Sequence, residues 1–200
     1  MKNAIKYSKK GIVMVTLFTT LLSFANENSF FNIKNDAKKT ALTLKSVKEG
    51  NQLSIIDNNG IILYREIIEK TGNYNKEFNL TSLPDGAYIF ELDKDLEINT
   101  IPFNIKSNII LFEKEKEKTI FKPLIRVKDD MVYVSKLSFN EKPLKIEIYF
   151  TGSNGSELMF TETIENTKVI ERIFKLDGLK FGSYKLVFHG EGREFIKYVN

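Results

Sequence analysis

The stretch LTSLPDGAYIF at residues 80–90 has a near copy, LDGLKFGSYKL, at residues 176–186. Both contain the pattern L-x-x-G-x-Y, and the residues that form it are Leu83, Gly86, Tyr88, Leu179, Gly182 and Tyr184. In Greek-key β-sandwiches a tyrosine near the start of a strand returns its hydroxyl to nearby backbone and forms a tyrosine corner. The leucine would enter the core and the glycine would permit the turn. The doubled pattern therefore predicts one structural corner in each of two similar domains.

Apolar and polar residues alternate around both corners. Residues 40–44 read TALTL, and residues 144–150 read LKIEIYF, with Ile146, Ile148 and Phe150 on one side. No stretch after residue 25 sustains a helical apolar period, whereas Asn-Gly and Asp-Gly turns recur at short spacing. This combination predicts an all-β sandwich or barrel.

The duplication extends beyond the corners. At an offset of 95 residues the matched pairs are Leu42 with Leu137, Leu44 with Phe139, Leu53 with Ile148, Ile55 with Phe150 and Leu63 with Leu158. At an offset of 96 residues they are Glu66 with Glu162, Phe78 with Phe174 and the corner residues. One inserted residue near the third strand would explain the change. Two units of about 85–95 residues, each with about seven strands, predict two tandem immunoglobulin-like Greek-key sandwiches.

The first 25 residues have the pattern of a signal peptide. Lysines at positions 2, 6, 9 and 10 precede an apolar run at residues 12–22, and Ser23-Phe24-Ala25 offers small residues for cleavage after Ala25. This order of a basic, an apolar and a small-residue region is typical of secretory signals. We therefore expect an exported protein, in the periplasm, at the cell surface or outside the cell, without a membrane span once the signal is removed.

The charged run EKEKEK at residues 113–118 predicts the boundary between the copies. Alternating charges without apolar residues cannot join a core, although they also protect solvated sheet edges, so an edge strand or loop of the first domain is the alternative. The predicted division is a signal at 1–25, a flexible lead-in at 26–37, a first sandwich at 38–116 and a second at 117–200.

Charge and residue types exclude several functions. The chain has 30 Lys and Arg against 26 Asp and Glu, and the excess is the four lysines of the signal, so the remainder is neutral and lacks the basic surface of a nucleic-acid-binding protein. The absence of cysteine excludes thiolate catalysis and iron–sulfur clusters. Neither a phosphate-binding loop nor G-x-S-x-G is present. We predict no enzymatic activity, no catalytic residue and no cofactor.

Two groups of residues could still carry chemistry. His189, the single histidine, lies in the sequence HGEG, which reads as a turn, so a solvated loop histidine is the favoured interpretation. Asp57-Asn58-Asn59-Gly60 resembles the start of a calcium loop, but position 12 is Ile68 rather than glutamate, so a hairpin turn is favoured. The acids left open for a calcium site at a domain junction are Asp93, Asp95, Glu97, Asp129 and Asp130.

The second copy resembles the type IX secretion (Por) C-terminal sorting domain of exported Bacteroidetes proteins. The resemblance is carried by Asn154-Gly155, by the corner of Leu179, Gly182 and Tyr184, and by the last strand, REFIKYV at residues 193–199. The Pro-Asn-Pro element with which that family usually opens is missing before Leu144. The resemblance implies that the secretion machinery reads the terminal segment, with Arg193, Phe195, Lys197 and Tyr198 as the candidate residues.

These features predict a non-enzymatic exported protein of two immunoglobulin-like domains that acts by surface contact or adhesion. Its partner would be a protein or another surface ligand, and the sequence does not indicate which residues bind it. One alternative makes the second copy a type IX sorting and cell-surface attachment module. The other is an adhesin tandem rigidified by calcium.

The corners allow a test. Tyr88→Phe and Tyr184→Phe should each lower the free energy of unfolding by about 1 kcal/mol or somewhat more, because each removes one buried hydrogen bond. Urea unfolding followed by circular dichroism measures the change. Both variants being as stable as the wild type would refute the corner assignment.

Overall fold

The structure is a computed structural model that describes residues 29–36, 39–153, 155–177 and 179–200. The predicted signal peptide lies outside these ranges, as do residues 26–28 and 37 of the predicted lead-in. The described chain is built of antiparallel strands with three short 3₁₀ turns, at Leu80–Ser82, Lys114–Lys116 and Leu179–Phe181. The prediction of an all-β sandwich fold is confirmed.

The strands fall into two sets, which we call the first and the second sandwich. The first contains β1 (Phe31–Asp36), β2 (Lys39–Val47), β3 (Gln52–Asp57), β4 (Ile62–Ile67), β5 (Gly72–Phe78), β6 (Gly86–Asp93), β7 (Glu97–Lys106), β8 (Ile109–Phe112) and β9 (Lys118–Phe121). The second contains β10 (Leu124–Lys128), β11 (Met131–Leu137), β12 (Leu144–Gly152), β13 (Gly155–Ile164), β14 (Val169–Lys175), β15 (Ser183–Gly190) and β16 (Arg193–Val199).

Both sandwiches repeat one topology. In the first, the sheet β1-β2-β5 faces β4-β3-β6-β7-β8, and in the second, β10-β11-β14 faces β13-β12-β15-β16; β8 and β9, which both pair with β7, are additions of the first sandwich. Each pair of sheets encloses its own apolar core, and the two cores share no residue. Alternation along the strands fills these cores, since Leu144, Ile146 and Ile148 of β12 all point inward and are buried.

Two segments differ from the predicted division. Residues 31–36, placed in a flexible lead-in, form β1, and Phe31 is buried in the first core because the strand pairs with β2 along its length. Residues 118–121, placed in the second domain, form β9 and pair with β7 of the first sandwich. The division into two independent domains stays a prediction.

The strand registers correct the predicted match of the second strands. Thr40 lies opposite Phe78, and Val132 lies opposite Phe174, so Leu42 and Leu44 correspond to Val134 and Lys136. The predicted match with Leu137 and Phe139 is wrong, because Leu42 and Leu44 are fully buried whereas Leu137 is 39% and Phe139 62% exposed. The predicted offset between the two strands is wrong by an odd number of residues, and such an error assigns every side chain to the opposite face of the strand.

The third and fourth strands also match differently. Ile55 lies opposite Phe90, and Ile148 lies opposite Leu186, which is equivalent to Phe90, so Ile148 corresponds to Ile55 and not to Leu53. The following strands both carry a β-bulge at the same place, with Leu63 unpaired in β4 and Met159 unpaired in β13. Unequal turns on both sides of the third strand, rather than one inserted residue, therefore cause the change of offset.

The two sheets of each sandwich are joined at one edge by an equivalent pair of contacts. Tyr64 packs edge-on against Phe78, with ring centroids 5.2 Å apart, and Glu66 forms an ion pair with Lys76. In the second sandwich Phe160 packs against Phe174 at 5.3 Å, and Arg172 forms a bidentate pair with Glu162. Each contact joins a strand of one sheet to a strand of the other.

The corner tyrosines are buried, and their hydroxyls reach backbone. The Tyr88 hydroxyl donates to the carbonyl of Pro84 at 2.7 Å, and the Tyr184 hydroxyl donates to the carbonyl of Asp177. Leu83 and Leu179 pack against the two cores. How much these bonds contribute to stability stays a prediction.

The corner glycines have different roles. Neither has a left-handed φ. A Cβ on Gly182 would lie 2.3 Å from the carbonyl oxygen of Thr151, whereas a Cβ on Gly86 would make only ordinary contacts with the Tyr88 ring. Close packing, not turn geometry, therefore requires glycine at position 182.

The turn between β15 and β16 connects the two sandwiches. The carboxylate of Glu191 lies 3.3 Å from Nζ of Lys136, accepts a 2.9 Å hydrogen bond from Asn140, and lies 3.9 Å from Nζ of Lys118 on β9. Two residues on, the Arg193 guanidinium binds both carboxylate oxygens of Glu91 on β6. One hairpin thus presents an acid and a base to complementary groups of the first sandwich.

Glu191→Gln tests the buried pair. The Lys136 and Glu191 side chains are only 2% and 4% exposed, so removing the carboxylate charge should lower the free energy of unfolding by about 3 kcal/mol. Adding Lys136→Met should recover most of the loss, because the uncompensated charge is then gone.

Glu77→Gln is the control, since the Lys39–Glu77 pair is exposed and should contribute less than about 1 kcal/mol. Urea unfolding measures all of these variants. Equal losses for Glu191→Gln and Glu77→Gln would contradict a special role for the buried pair.

Candidate binding surface

The outer face of the sheet β10-β11-β14 exposes a set of large apolar side chains. Alternation in β11 sends Val132 and Val134 into the core and leaves Tyr133 and Leu137 outside. On β14 next to them, Val169 is 53% and Ile173 62% exposed. We call the following residues the apolar face: Leu124, Tyr133, Leu137, Val169 and Ile173.

A cleft of about 440 Å³, the junction cleft, opens where the apolar face meets the first sandwich. Leu96 from the β6–β7 turn and Phe121 from β9 form one wall, and Leu124, Leu137 and Val169 of the apolar face form the other. The volume lies in the range of pockets that hold small ligands or a partner's side chains, about 300–1,000 Å³. Neither sandwich alone supplies both walls.

The charged groups around the junction cleft are largely neutralised within the protein. Nζ of Lys94 lies 2.8 Å from the Glu97 carboxylate, Lys122 binds Asp93, and Lys136 binds Glu191. The surface left to a partner is therefore chiefly apolar, and the chemistry best suited to it is an apolar group that loses water on contact.

The first sandwich supplies an internal comparison. The cross-strand pair Ala41 and Glu77 occupies the place of Tyr133 and Ile173. Asn73 on β5 takes the position of Val169 on β14. The outer face of the sheet β1-β2-β5 is therefore polar, and its polar side chains bond to one another, since Thr43 hydrogen-bonds to Asn75 and Lys39 pairs with Glu77. Two copies with the same core pattern thus differ in the polarity of one outer face.

His189 lies within β15 rather than in a turn, so its predicted place in a loop is corrected. Its Nε2 lies 3.1 Å from the Glu147 carboxylate, and its Nδ1 lies 3.5 Å from Glu194. Hydrogen bonds from the Lys145 ammonium and from His189 lower the pKa of Glu147 to about 2. The network lies on the outer face of the second sandwich, and within the described residues no serine or threonine hydroxyl hydrogen-bonds to His189.

Four of the five acids considered for calcium are held by lysines, and Asp129 has no ion-pair partner among the described residues. Lys122 binds Asp93, Lys48 lies 3.2 Å from Asp95, Lys94 binds Glu97, and Lys175 lies 3.9 Å from Asp130. In the part of the chain that the structure describes, no three His, Asp or Glu side chains are grouped so that they could hold a metal ion. The geometry gives the calcium alternative no support.

The candidate sorting residues lie on one edge strand, β16, but face different surroundings. Arg193 is bound to Glu91, and Phe195 is half-buried against the second core. Lys197 is exposed, and Tyr198 is 62% exposed. Only the last two are open to a partner as the chain is folded here.

Comparison with known proteins adds little to this description. No protein family and no curated protein matches the sequence significantly. No helix among the described residues is long and apolar enough to cross a membrane.

Three solved structures are similar at a low level. The BSP domain of a biofilm-associated protein has a TM-score of 0.26 and 14% identity, and the match covers 84% of this chain and 28% of that one. The human OSCAR ligand-binding domain has a TM-score of 0.25 and 6% identity, over 85% of this chain and 96% of that one. A structure of the receptor tyrosine kinase Torso, on neurohormone perception, has a TM-score of 0.23 and 10% identity, over 86% and 72%. Scores this low carry no argument about the site.

Proposed function

We propose that the protein is a non-enzymatic binding protein that makes surface contacts through the apolar face and the junction cleft. The observation that carries this proposal is the exposure of apolar side chains where the first sandwich has polar ones, as at Ile173 against Glu77 and Val169 against Asn73. Contiguous exposed apolar surface with polar surroundings is typical of interaction sites.

The energetics favour a partner with an apolar group. Removing one large apolar side chain from water contributes about 1.5–3 kcal/mol. Leu137, Val169 and Ile173 are already partly buried, so burying the rest of them would supply only part of this free energy, and the partner must add contacts in the cleft to exceed the entropy of association. The cleft would receive the partner's most protruding side chain between the two sandwiches.

The groups around the cleft support a binding role over a catalytic one. Of the described residues that line it, none is a histidine, and Glu97, Lys122 and Lys136 are already held in ion pairs, so Glu171 is the one charged group among them without an ion-pair partner and no second free group accompanies it for acid–base chemistry. A general acid or base must be free to reach the reacting group. Glu147, whose pKa is lowered to about 2, lies on the second sandwich's other sheet.

Val169→Asn combined with Ile173→Glu gives the second sandwich the residues of the first and tests the proposal. On an array of extracellular proteins and surface polysaccharides, the wild type should bind at least one target. The double variant should bind it at least about 10-fold more weakly, because two apolar contacts are lost.

Ile109→Lys with Leu111→Lys on β8 is the matched control, since both residues are well exposed on the first sandwich and away from the cleft. The control should bind as the wild type does. Equal loss in the control and the test variant, or turnover of an array ligand that depends on an acidic residue, would contradict the proposal.

A second candidate function is sorting by the second copy, as the type IX resemblance implies. It is favoured by the exposure of Ile196, Lys197 and Tyr198 on the edge strand β16, where another protein could contact them in the folded state.

Lys197→Glu with Tyr198→Ser should reduce the fraction of the protein that reaches the surface of a host with a type IX apparatus, and cell fractionation measures it. Leu158→Ser with Met159→Ser on the opposite edge strand is the control. Unchanged delivery of the Lys197 and Tyr198 variant would exclude sorting through these exposed residues.

A further inference from the structure

We propose that the partner of the apolar face is a second copy of this chain, packed face to face about a two-fold axis parallel to β11. This inference rests on the proposed function, because it assigns a partner to the same surface. Its argument comes from the charges that flank the face.

Two opposite charges lie on opposite sides of β11. Arg126 on β10 is opposite Tyr133, and Glu171 on β14 is opposite Ser135, the next outward residue of β11. Within the described residues neither Arg126 nor Glu171 has an ion-pair partner. They cannot satisfy each other, since two strand spacings, about 9.6 Å, and one step along the strand separate them.

The other charges of the two flanks differ in whether they are paired within the copy. On the β10 side Lys128 adds a second positive charge next to Arg126. At the end of β14, Nζ of Lys175 lies 3.9 Å from Asp130 and 3.4 Å from Asp177, so two carboxylates surround one ammonium. Among the described residues, the charges without an ion-pair partner are therefore positive on the β10 side and negative on the β14 side.

A two-fold axis parallel to β11 brings opposite flanks together. It places β10 of one copy over β14 of the other, so each Arg126 faces the flank that carries the second copy's Glu171, and both pairs form at once. Tyr133 and Leu137, on the central strand, then meet their own copies. An axis across the strands would instead stack β10 on β10 and β14 on β14, so Arg126 would not meet the strand that carries Glu171.

The face is a better self-association surface than the edge strands β4 and β13. Met159 in β13 and Leu63 in β4 form β-bulges, which interrupt the regular row of backbone groups that a pairing strand needs. The equivalent outer face of the first sandwich carries Lys34 and Asn75 in place of Arg126 and Glu171, without large apolar residues between them. Only the second sandwich combines apolar contact with complementary charge.

The size of the face sets the expected affinity. Three strands about 4.8 Å apart and four outward residues about 6.8 Å apart along a strand give a contact of a few hundred Å² per copy. Stable interfaces bury roughly 800 Å² per partner, so we expect a weak, concentration-dependent dimer. Crowding of the chain on a surface would favour it by mass action.

Charge reversal tests the reciprocal pairing. In sedimentation experiments from about 10 μM to about 1 mM, the range suited to a weak interface, the wild type should form dimers. Arg126→Glu alone and Glu171→Arg alone should each dimerise at least about 10-fold more weakly, because each homodimer has two repulsive pairs.

An equimolar mixture of the two variants should dimerise as the wild type does, because both pairs are then attractive. Lys34→Glu and Asn75→Arg at the equivalent positions of the first sandwich are the controls and should leave dimerisation unchanged. Circular dichroism establishes that every variant is folded.

The outcomes separate this inference from the proposed function. A wild type that stays monomeric throughout the range, or a mixture no better than its components, overturns the dimer. If array binding is then still lost in the Val169 and Ile173 variant, the face binds another molecule and the proposed function stands. If the mixture dimerises while no array ligand binds, the self-contact is supported and contact with other surface ligands is refuted.

Discussion

The arrangement of the two sandwiches depends on the carboxylate of Glu191. Lys136 takes the core-facing position that Leu44 has in the first sandwich, and a lysine buried there requires an opposite charge. Glu191 supplies it, which holds the β15–β16 hairpin in place. The same hairpin then carries Arg193 to Glu91, so a charge buried in one sandwich determines how that sandwich meets the other.

This constraint explains how a chain of two small sandwiches acquires a cleft. The inner surfaces of both are filled by their own apolar cores. The junction cleft arises where Leu96 and Phe121 of the first sandwich stand beside the apolar face of the second. The proposed contact surface is thus a property of the junction, and it is chiefly apolar because most charges around the cleft neutralise one another.

The two copies share the contacts that join the two sheets of a sandwich, but they differ in the side chains on the outer face of the three-stranded sheet. The aromatic and ionic contacts that join the sheets at one edge occur in both, as Tyr64 with Phe78 and as Phe160 with Phe174. Loss of such a contact would expose the core edge in either copy. The outer face of the three-stranded sheet does not join the two sheets, so its side chains can be polar in one copy and apolar in the other. This freedom is what makes the second face a candidate for recognition.

Local pattern in the sequence was enough to predict strands, turns and the doubling, because period-two alternation and the L-x-x-G-x-Y phrase depend on residues a few positions apart. The ion pairs that join the two sheets could also have been predicted from the sequence, since Lys76 and Arg172 are separated by the same offset as Glu66 and Glu162. The outward position of Leu137 was missed when the two copies were aligned by sequence alone. An alignment error of an odd number of residues assigns each side chain of a strand to the wrong face of the sheet. Only the tertiary structure brought together Glu91 and Arg193, and with them the two walls of the cleft. Contacts between residues about a hundred positions apart follow no period along the chain. They depend on how the surfaces of the two folded sandwiches fit together.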